Sequence, residues 1–468
     1  MINDRIKFTV DHRLDLLEEK AIEVVKVLQK NNFECYFAGG AVRDLLLNRK
    51  ICDIDIATSA KQDEVKKLFP ITEDRGKSFG VIVVKMGKFE FEVATFRKDI
   101  GTTDHRRPKE TEFTSAEEDA KRRDFTINGL FYDPVKEEII DYVEGIKDIK
   151  NKVIRFIGNP TERINEDYLR LLRAIRFAGR LDFQIEENTF EAIKKNADKI
   201  KLISVERIRD ELSKILQNEN RSLSLEILSR TKLLKELFPE LEALKNVPHP
   251  PEFHSEGDVW THNLLALNNI NDLPKESVTE ELVWAVLLHD IAKPETIGFR
   301  ATQGKTKITF FDHDVRSAEK AKSILERMRF SHSFINAVVW AISQHMRIVH
   351  AFTGMSERKQ KKLFLDENIQ LLLDLTYADL SASLRPNGKP DMQLHNDALE
   401  MAERFSREMK DEEKNQMKKF DLVTGKDIME ILKIPASKEV GKIKSEIEKA
   451  YFEGKINTRE EALKMVNK

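Results

Sequence analysis

The stretch from Tyr36 to Thr58 limits what this chain can build more than any other. Tyr36-Phe37-Ala38 runs into Gly39-Gly40, a short helical pattern follows over 41–47, and Asp53-Ile54-Asp55-Ile56-Ala57-Thr58 alternates at strand period. Residues i and i+2 of a strand share a face, so Asp53 and Asp55 converge while Ile54 turns to the core. Two hard oxygen ligands suit Mg2+, and a pair of such ions can activate a hydroxyl nucleophile and neutralise a leaving pyrophosphate. An isolated Asp-x-Asp is more often a solvated strand edge. Here it follows a glycine turn, where missing Cβ atoms let backbone N–H groups approach a triphosphate, and Arg43 in the first turn of the next helix. Glu92, on the strand-like run 89–94, is either a third acid of this cluster or an exposed residue paired with Lys85 or Arg97.

A chain of 468 residues with 40% hydrophobic content is long enough for about three domains, each with its own core. Charged residues make up 34% but nearly cancel to a net charge of -2, so a nucleic-acid partner must be met by local basic surface. Met1-Ile2-Asn3-Asp4-Arg5 lacks the basic, then apolar, pattern of a secretory signal, and no later apolar run is long enough for a bilayer. The expected compartment is the cytoplasm, with no membrane partner. Cys35 and Cys52 form no CxxC pair and are expected to be ordinary buried thiols.

Helical apolar spacing covers 14–30, and strand-like runs follow at 53–58, 80–85 and 89–94. The first 150 residues are therefore the mixed α/β part. From about Thr161 long charged helices take over, interrupted at Val247-Pro248-His249-Pro250-Pro251 and more weakly at Arg385-Pro386-Asn387-Gly388-Lys389-Pro390. Residues 97–109, with Asp104-His105-Arg106-Arg107-Pro108, are expected to form a long polar loop of the kind that often acts as a lid. Glu166, Asp167, Arg170, Arg173 and Arg176 are expected to open one helix, the last four recurring every three residues on one side. Arginines gathered on one face repel each other and call for an anion such as triphosphate or RNA backbone.

Phe37-Ala38-Gly39-Gly40-Ala41-Val42-Arg43-Asp44, Asp53-Ile54-Asp55, Arg122-Arg123-Asp124-Phe125-Thr126-Ile127-Asn128 and Glu166-Asp167-Tyr168-Leu169-Arg170 match, in order and spacing, successive motifs of one family. The chain resembles the class II tRNA nucleotidyltransferases, the CCA-adding enzymes, and their bacterial poly(A) polymerase relatives. The resemblance spans roughly the first 240 residues and continues more loosely beyond. It implies an α+β fold with a polymerase-β-like, mixed α/β nucleotidyltransferase head (1–150). All-α regions follow: neck and body (151–247), an HD-type domain (252–385) and a helical tail (386–468). It implies CMP and AMP addition to the 3′ end of tRNA from CTP and ATP, with Asp53 and Asp55 holding Mg2+, and Gly39, Gly40 and Arg43 at the nucleotide. Arg123 carries over as a phosphate contact and Asp124 as a ribose contact, although helix capping accounts for Asp124 and Asn128 equally. In the family, the loop after the sheet helps the site change from CTP to ATP.

Asp167 and Arg170 carry over as the base-reading pair, with Arg173 and Arg176 on nucleotide or primer. The chemistry supports that assignment. An acid acceptor beside a guanidinium donor complements the exocyclic NH2 and ring-nitrogen acceptor that cytosine and adenine both present, whereas uracil and guanine oppose it with a carbonyl and a ring N–H. An A-adding enzyme, a poly(A) polymerase, or an HD phosphohydrolase with an RNA-binding N-terminal module are the alternative readings.

Ala285-Val286-Leu287-Leu288-His289-Asp290-Ile291-Ala292-Lys293-Pro294 resembles the signature of HD-type phosphohydrolases. Single histidines on apolar helices are mostly core or surface residues. Adjacent His289 and Asp290 with His262, His313 and His345 nevertheless form a plausible ligand set for Mn, Ni or Fe. The resemblance selects Asp379 over Asp374 as the last ligand and leaves His332 and His350 aside. Leu422-Val423-Thr424-Gly425-Lys426-Asp427-Ile428-Met429 resembles a tail segment that meets tRNA, although Pro435-Ala436-Ser437 stands where the family commonly has a Pro-Gly-Pro-like turn. A solvated helical hairpin fits the tail equally well.

Overall fold

The computed structural model describes residues 4–8, 15–74, 80–102, 105, 108–302, 305–420, 422–452, 455–456 and 458–466. The chain divides into two compact units, residues 1–345 with 374–391, and residues 346–373 with 392–468.

The first unit begins with the mixed α/β head. Helix α1 (Leu16–Lys30) starts at an Asp15 cap whose side chain and that of Glu18 satisfy each other's backbone N–H groups, and it buries Ala21, Val24, Val25 and Leu28 at helical spacing. Strand β1 (Asp4–Lys7) precedes it, and β2 (Cys35–Ala38), helix α2 (Gly40–Leu46) and β3 (Asp55–Thr58) follow. Helix α3 (Gln62–Leu68) leads to β4 (Thr72–Asp74), β5 (Val81–Met86) and β6 (Phe89–Thr95). Strands β7 (Arg97–Thr102) and β8 (Pro108–Phe113) form a separate hairpin, and after helix α4 (Ala116–Lys121) the head closes with β9 (Phe131–Asp133) and β10 (Glu138–Asp141). The main sheet has the order β1-β10-β9-β2-β3-β6-β5-β4. Among the described residues its one parallel pairing, β3 with β6, registers Ile56 against Val93 and so brings Glu92 beside Asp55. Tyr36, Phe96 and Phe131 pack together in the core beneath.

Where a polar loop was expected over 97–109, the chain makes an antiparallel ladder pairing Arg97 with Phe113, Lys98 with Glu112 and Asp99 with Thr111. Lys98 and Glu112 face each other as opposite charges, but the two strands carry no regular apolar alternation, so hydrophobic period gives no sign of the ribbon. Asp104, Arg106 and Arg107 lie outside the described residues.

Helix α5 (Gly145–Lys150) leads to the helical part of the unit. Helix α6 (Pro160–Glu166) stops at Asp167, whose φ of -148° is extended, and α7 (Arg170–Leu181) begins afresh. The single helix expected from Glu166 to Arg176 is therefore broken at its acid, with the Asp167 carboxylate accepting the Leu169 N–H at 3.1 Å. Helix α8 (Glu187–Lys195) packs against α6, and α9 (Val205–Leu216) against α7.

The HD region is built on helices Val259–Asn269, Glu280–Leu288, His313–Arg327, His332–Gln344 and Ile369–Ala382. An unforeseen hairpin, Ile297–Thr302 with Lys305–Phe310, interrupts the helical pattern. In the second unit, helices Gly425–Leu432, Lys438–Phe452 and Arg459–Val466 enclose a core of Val423, Ile428, Ile447 and Ala462. Cys35 is buried as expected but Cys52 is exposed. Among the described residues no helix is long and apolar enough to cross a membrane.

Candidate functional site

A cleft of about 580 Å3 gathers Gly39, Gly40, Arg43, Asp53, Asp55, Arg123, Asp124, Asp167, Arg170, Arg173 and Arg176, all eleven residues that the sequence assigned to the nucleotide site. It is built where the C-terminal end of β2, the start of β3 and the N-terminal turns of α7 meet. Ile54 is fully buried while Asp53 and Asp55 face solvent, which is the alternation the strand period requires. Asp55 is open to the cleft, yet the protein packed around it, and then the charges of Asp53 and Glu92, push its carboxyl up to about 6, with Arg123 opposing. Acids that resist ionising together are suited to a cation that relieves their repulsion, so the residues present fit a divalent ion.

Glu92 lies near enough to the acid cluster for its charge to raise Asp55. Gly39 has a φ of +67°, a conformation that calls for glycine, and a Cβ there would lie 2.8 Å from Arg123 Nη1, which would have to shift.

The cleft arginines do not stand as bare charges awaiting an anion. Arg43 is buried, with both carboxylate oxygens of Asp44 at 2.9 Å and Asn128 Oδ1 at 2.7 Å. Arg123 is held by Asp119 at 3.1 Å, Arg176 by Glu211 at 2.6 Å, and Arg170 by Glu166 at 2.6 Å. Arg173 donates from Nε to Asp124 Oδ2 at 2.8 Å, while Asp124 Oδ1 accepts from the Phe125 N–H and from Asn128. Asp124 thus holds Asn128 and anchors an arginine, while the turn after it starts at Phe125 with no side-chain cap. Burial alone would raise its pKa, but the charge of Arg173 and these hydrogen bonds outweigh burial and hold it at about 2.

The Asp167 and Arg170 side chains share the cleft but are bonded to other groups, although the Arg170 N–H donates to the Asp167 carbonyl at 3.0 Å. Arg207 on α9 reaches Asp167 with one nitrogen, 3.1 and 3.0 Å from its two oxygens. Arg170 Nη1 bonds the Arg163 carbonyl at 2.7 Å as well as Glu166. Both keep free capacity: a carboxylate has about four lone-pair sites and a guanidinium five N–H donors.

A second cluster joins the HD candidates. His289 Nδ1 binds the Val286 carbonyl, His313 Nδ1 that of Phe310 and His345 Nδ1 that of Ile342, at 2.6 to 2.9 Å. His262 Nδ1 binds Glu256 at 2.9 Å. These bonds turn the four Nε2 atoms inward, as outer-shell partners do for metal-bound imidazoles. Nε2 of His262 lies 3.1 Å from Asp379 Oδ1, that of His289 3.2 Å from Asp290, and those of His313 and His345 3.2 Å apart. Two triads of potential ligands result, His262 with His289 and Asp379, and Asp290 with His313 and His345. Nε2 of His262 and His289 and both oxygens of Asp290 are buried outside hydrogen-bonding geometry with any described group. A divalent cation would satisfy them, so the donor set fits a metal.

The chain matches the family described as Poly A polymerase head domain over residues 35–155, the probable RNA and SrmB- binding site of polymerase A over 182–245, and the HD domain over 262–384. It is 42% identical over 272 residues to the CCA-adding enzyme of Lactococcus lactis subsp. lactis, a match that covers 55% of this chain and 68% of that protein. The chain belongs to the CCA-adding enzyme family. With the CCA-adding enzymes of Ligilactobacillus salivarius and Enterococcus faecalis it shares 43% identity over 52% and 53% of its own length. It spans about three fifths of those relatives, 61% and 63%. The solved CCA-adding enzyme of Bacillus stearothermophilus in complex with CTP is 26% identical, with a TM-score of 0.60 over 97% of this chain and 98% of that one. The Thermotoga maritima enzyme complexed with tRNA shares the fold, at 21% identity and a TM-score of 0.56 over 99% and 98%.

Against this CCA-adding framework, reading the sequence missed Arg207, Glu211 and Asp119, which hold the cleft residues in place, and His249, His254, Glu256 and Lys293 around the HD ligands. His249 belongs to the proline-rich break that was expected to be only a boundary. The adjacency of Lys293 to His289-Asp290 was the one available signal.

Proposed function

We propose that the chain adds CMP and AMP to the 3′ end of tRNA, without a template, from CTP and ATP, and that its HD region is a metal-dependent phosphohydrolase. The observation that carries the first reading is the single cleft uniting the acid pair, the glycine turn and Asp167 with Arg170. In this reading the tRNA 3′-oxygen bonds to the α-phosphorus of the nucleotide and the bond to the β-phosphate breaks, releasing pyrophosphate. Asp53 and Asp55 are the residues to hold Mg2+, which when bound supplies activation of the hydroxyl and charge neutralisation of pyrophosphate. Gly39 and Gly40 let the backbone approach the phosphates, and Arg123 steadies them. Asp167 accepts from the exocyclic amino group of cytosine or adenine while Arg170 donates to the neighbouring ring nitrogen. Arg207 keeps Asp167 oriented, and Asp124 does the same for Arg173.

In the HD region, His262, His289, Asp290, His313, His345 and Asp379 are the proposed ligands of Mn, Ni or Fe. The division at residues 150, 247 and 385, a cytoplasmic setting and a tRNA-facing tail belong to the same proposal. The test is to offer the purified chain tRNAs that lack CCA, CA or only the final A, with CTP and ATP singly and together. Ordered C, C, A addition that then stops supports the reading. A-only addition or a growing poly(A) tail replaces it with one of the narrower activities.

A further inference from the structure

We propose that Phe177 is a positioning residue of the nucleotide cleft, one ring that sets the orientation of three cleft arginines toward the triphosphate. The inference rests on the nucleotide-transfer reading and deepens it. Phe177 lines the cleft with only 5% of its surface exposed. The guanidinium carbons of Arg176, Arg43 and Arg173 lie over its ring, 4.6, 5.2 and 5.4 Å from the centroid. A cation within about 6 Å of a ring centroid is drawn to the negative face of the π system. Arg173 stands four residues before Phe177 on α7, where helical spacing sets the two side chains together, whereas Arg43 arrives from α2. The ring itself is held by other rings: Phe125, fully buried, meets it edge-on at 5.5 Å and 75°, and Phe125 in turn stacks on Phe156 at 4.9 Å.

Three like charges gathered around one point repel one another. Asp44 on Arg43, Asp124 on Arg173 and Glu211 on Arg176 offset that repulsion, and each bonds its guanidinium at an edge. The ring supplies the other constraint, because it stacks on the face. Edge and face together fix the plane in which the remaining N–H donors point. A triphosphate presents several anionic oxygens on a compact chain and gains most from donors already aimed. Arg43 lies in the first turn of α2, directly after Gly39-Gly40, the turn that the transfer reading gives to the phosphates. The anion shared by arginines around one ring is therefore the triphosphate of CTP or ATP rather than the primer backbone. Base reading is a separate matter, since Asp167 and Arg170 are held by Arg207 and Glu166.

The experiment is steady-state incorporation of CMP and AMP by the full chain into tRNAs lacking CCA or only the final A, with KM for CTP, ATP and tRNA separated from kcat. Phe177→Leu removes the ring and keeps apolar bulk. It should raise KM for both nucleotides about tenfold while KM for tRNA stays within about threefold, and Phe177→Tyr should recover most of the loss. Replacing Phe177 by trifluorophenylalanine keeps the outline of the ring but drains its negative face. That protein should show nucleotide KM values raised about threefold or more, an effect that packing alone does not produce. If Phe177→Leu does not fold, the fluorinated protein carries the test. Nucleotide KM values unchanged on loss or fluorination of the ring, or a rise as large for tRNA as for nucleotide, overturn the assignment. A parent that incorporates neither nucleotide overturns the transfer reading itself and the role of Phe177 with it.

Discussion

Arg207 and Asp167 are joined across forty residues of sequence by one guanidinium nitrogen that spans both carboxylate oxygens, at 3.1 and 3.0 Å. With the Leu169 N–H also on Oδ1, the bond leaves a lone pair of Oδ2 open and fixes the direction in which it points. Arg207→Ala should therefore lower discrimination of CTP and ATP against UTP and GTP by about tenfold, roughly the effect of one charge-assisted hydrogen bond. Arg207→Lys should recover part of it. Competition assays with paired nucleotides check this, and selectivity unchanged in Arg207→Ala would show that Asp167 needs no such support.

Arg170→Ala removes the donor half of the proposed base-reading pair and leaves Asp167 able only to accept. Loss of about 1.5 to 3 kcal/mol corresponds to roughly ten- to a hundredfold in discrimination. The rate should fall with it. Rejection of UTP and GTP that persists at the original level would contradict the assignment.

The Asp124–Arg173 pair makes an acid-stability prediction. The carboxyl sits at about 2 in the fold, below the ordinary value of 3.8, so its stabilisation is fully present above about pH 4 and is lost as pH falls toward 2. A difference near two pKa units corresponds to a contribution of roughly 2 kcal/mol. Asp124→Asn should be less stable at neutral pH and should show a flatter stability curve between pH 4 and 2, measured by urea unfolding at each pH. An equally steep curve in the variant would assign that window to other carboxylates.

The two chemistries should separate. His289→Ala with Asp290→Ala removes a member of each ligand triad and should abolish HD-site metal and phosphohydrolase activity, while CMP and AMP incorporation persists. Metal analysis, hydrolysis of a 2′,3′-cyclic nucleotide and incorporation on one preparation check this. Collapse of incorporation in a folded variant would mean that the two sites are coupled.

The acid pair and glycine turn were legible because both depend on local geometry: alternation sets Asp53 and Asp55 on one face, and Gly39 needs a positive φ. The residues that hold the cleft together were not. Glu211 meets Arg176 from 35 positions away and Asp124 meets Arg173 from 49, and pairing at such range leaves no periodic trace in one sequence. The arginine repeat consequently suggested bare positive charge, where the fold supplies each arginine with its own carboxylate. Strands β1, β9 and β10 escaped notice because each is only three or four residues long, too short for alternation to stand out. The break between α6 and α7 was hidden by helical spacing that continues through Asp167.

In the proposed reaction Asp53 and Asp55 carry nucleotide transfer. Asp53→Ala with Asp55→Ala, assayed for CMP and AMP incorporation into tRNA lacking CCA, tests it most directly, with tRNA binding measured on the same preparation. Incorporation should fall on the order of a thousandfold, equivalent to about 4 kcal/mol of barrier, while tRNA affinity changes by less than about threefold. Incorporation at the unsubstituted rate would contradict it and leave the N-terminal half as an RNA-binding module.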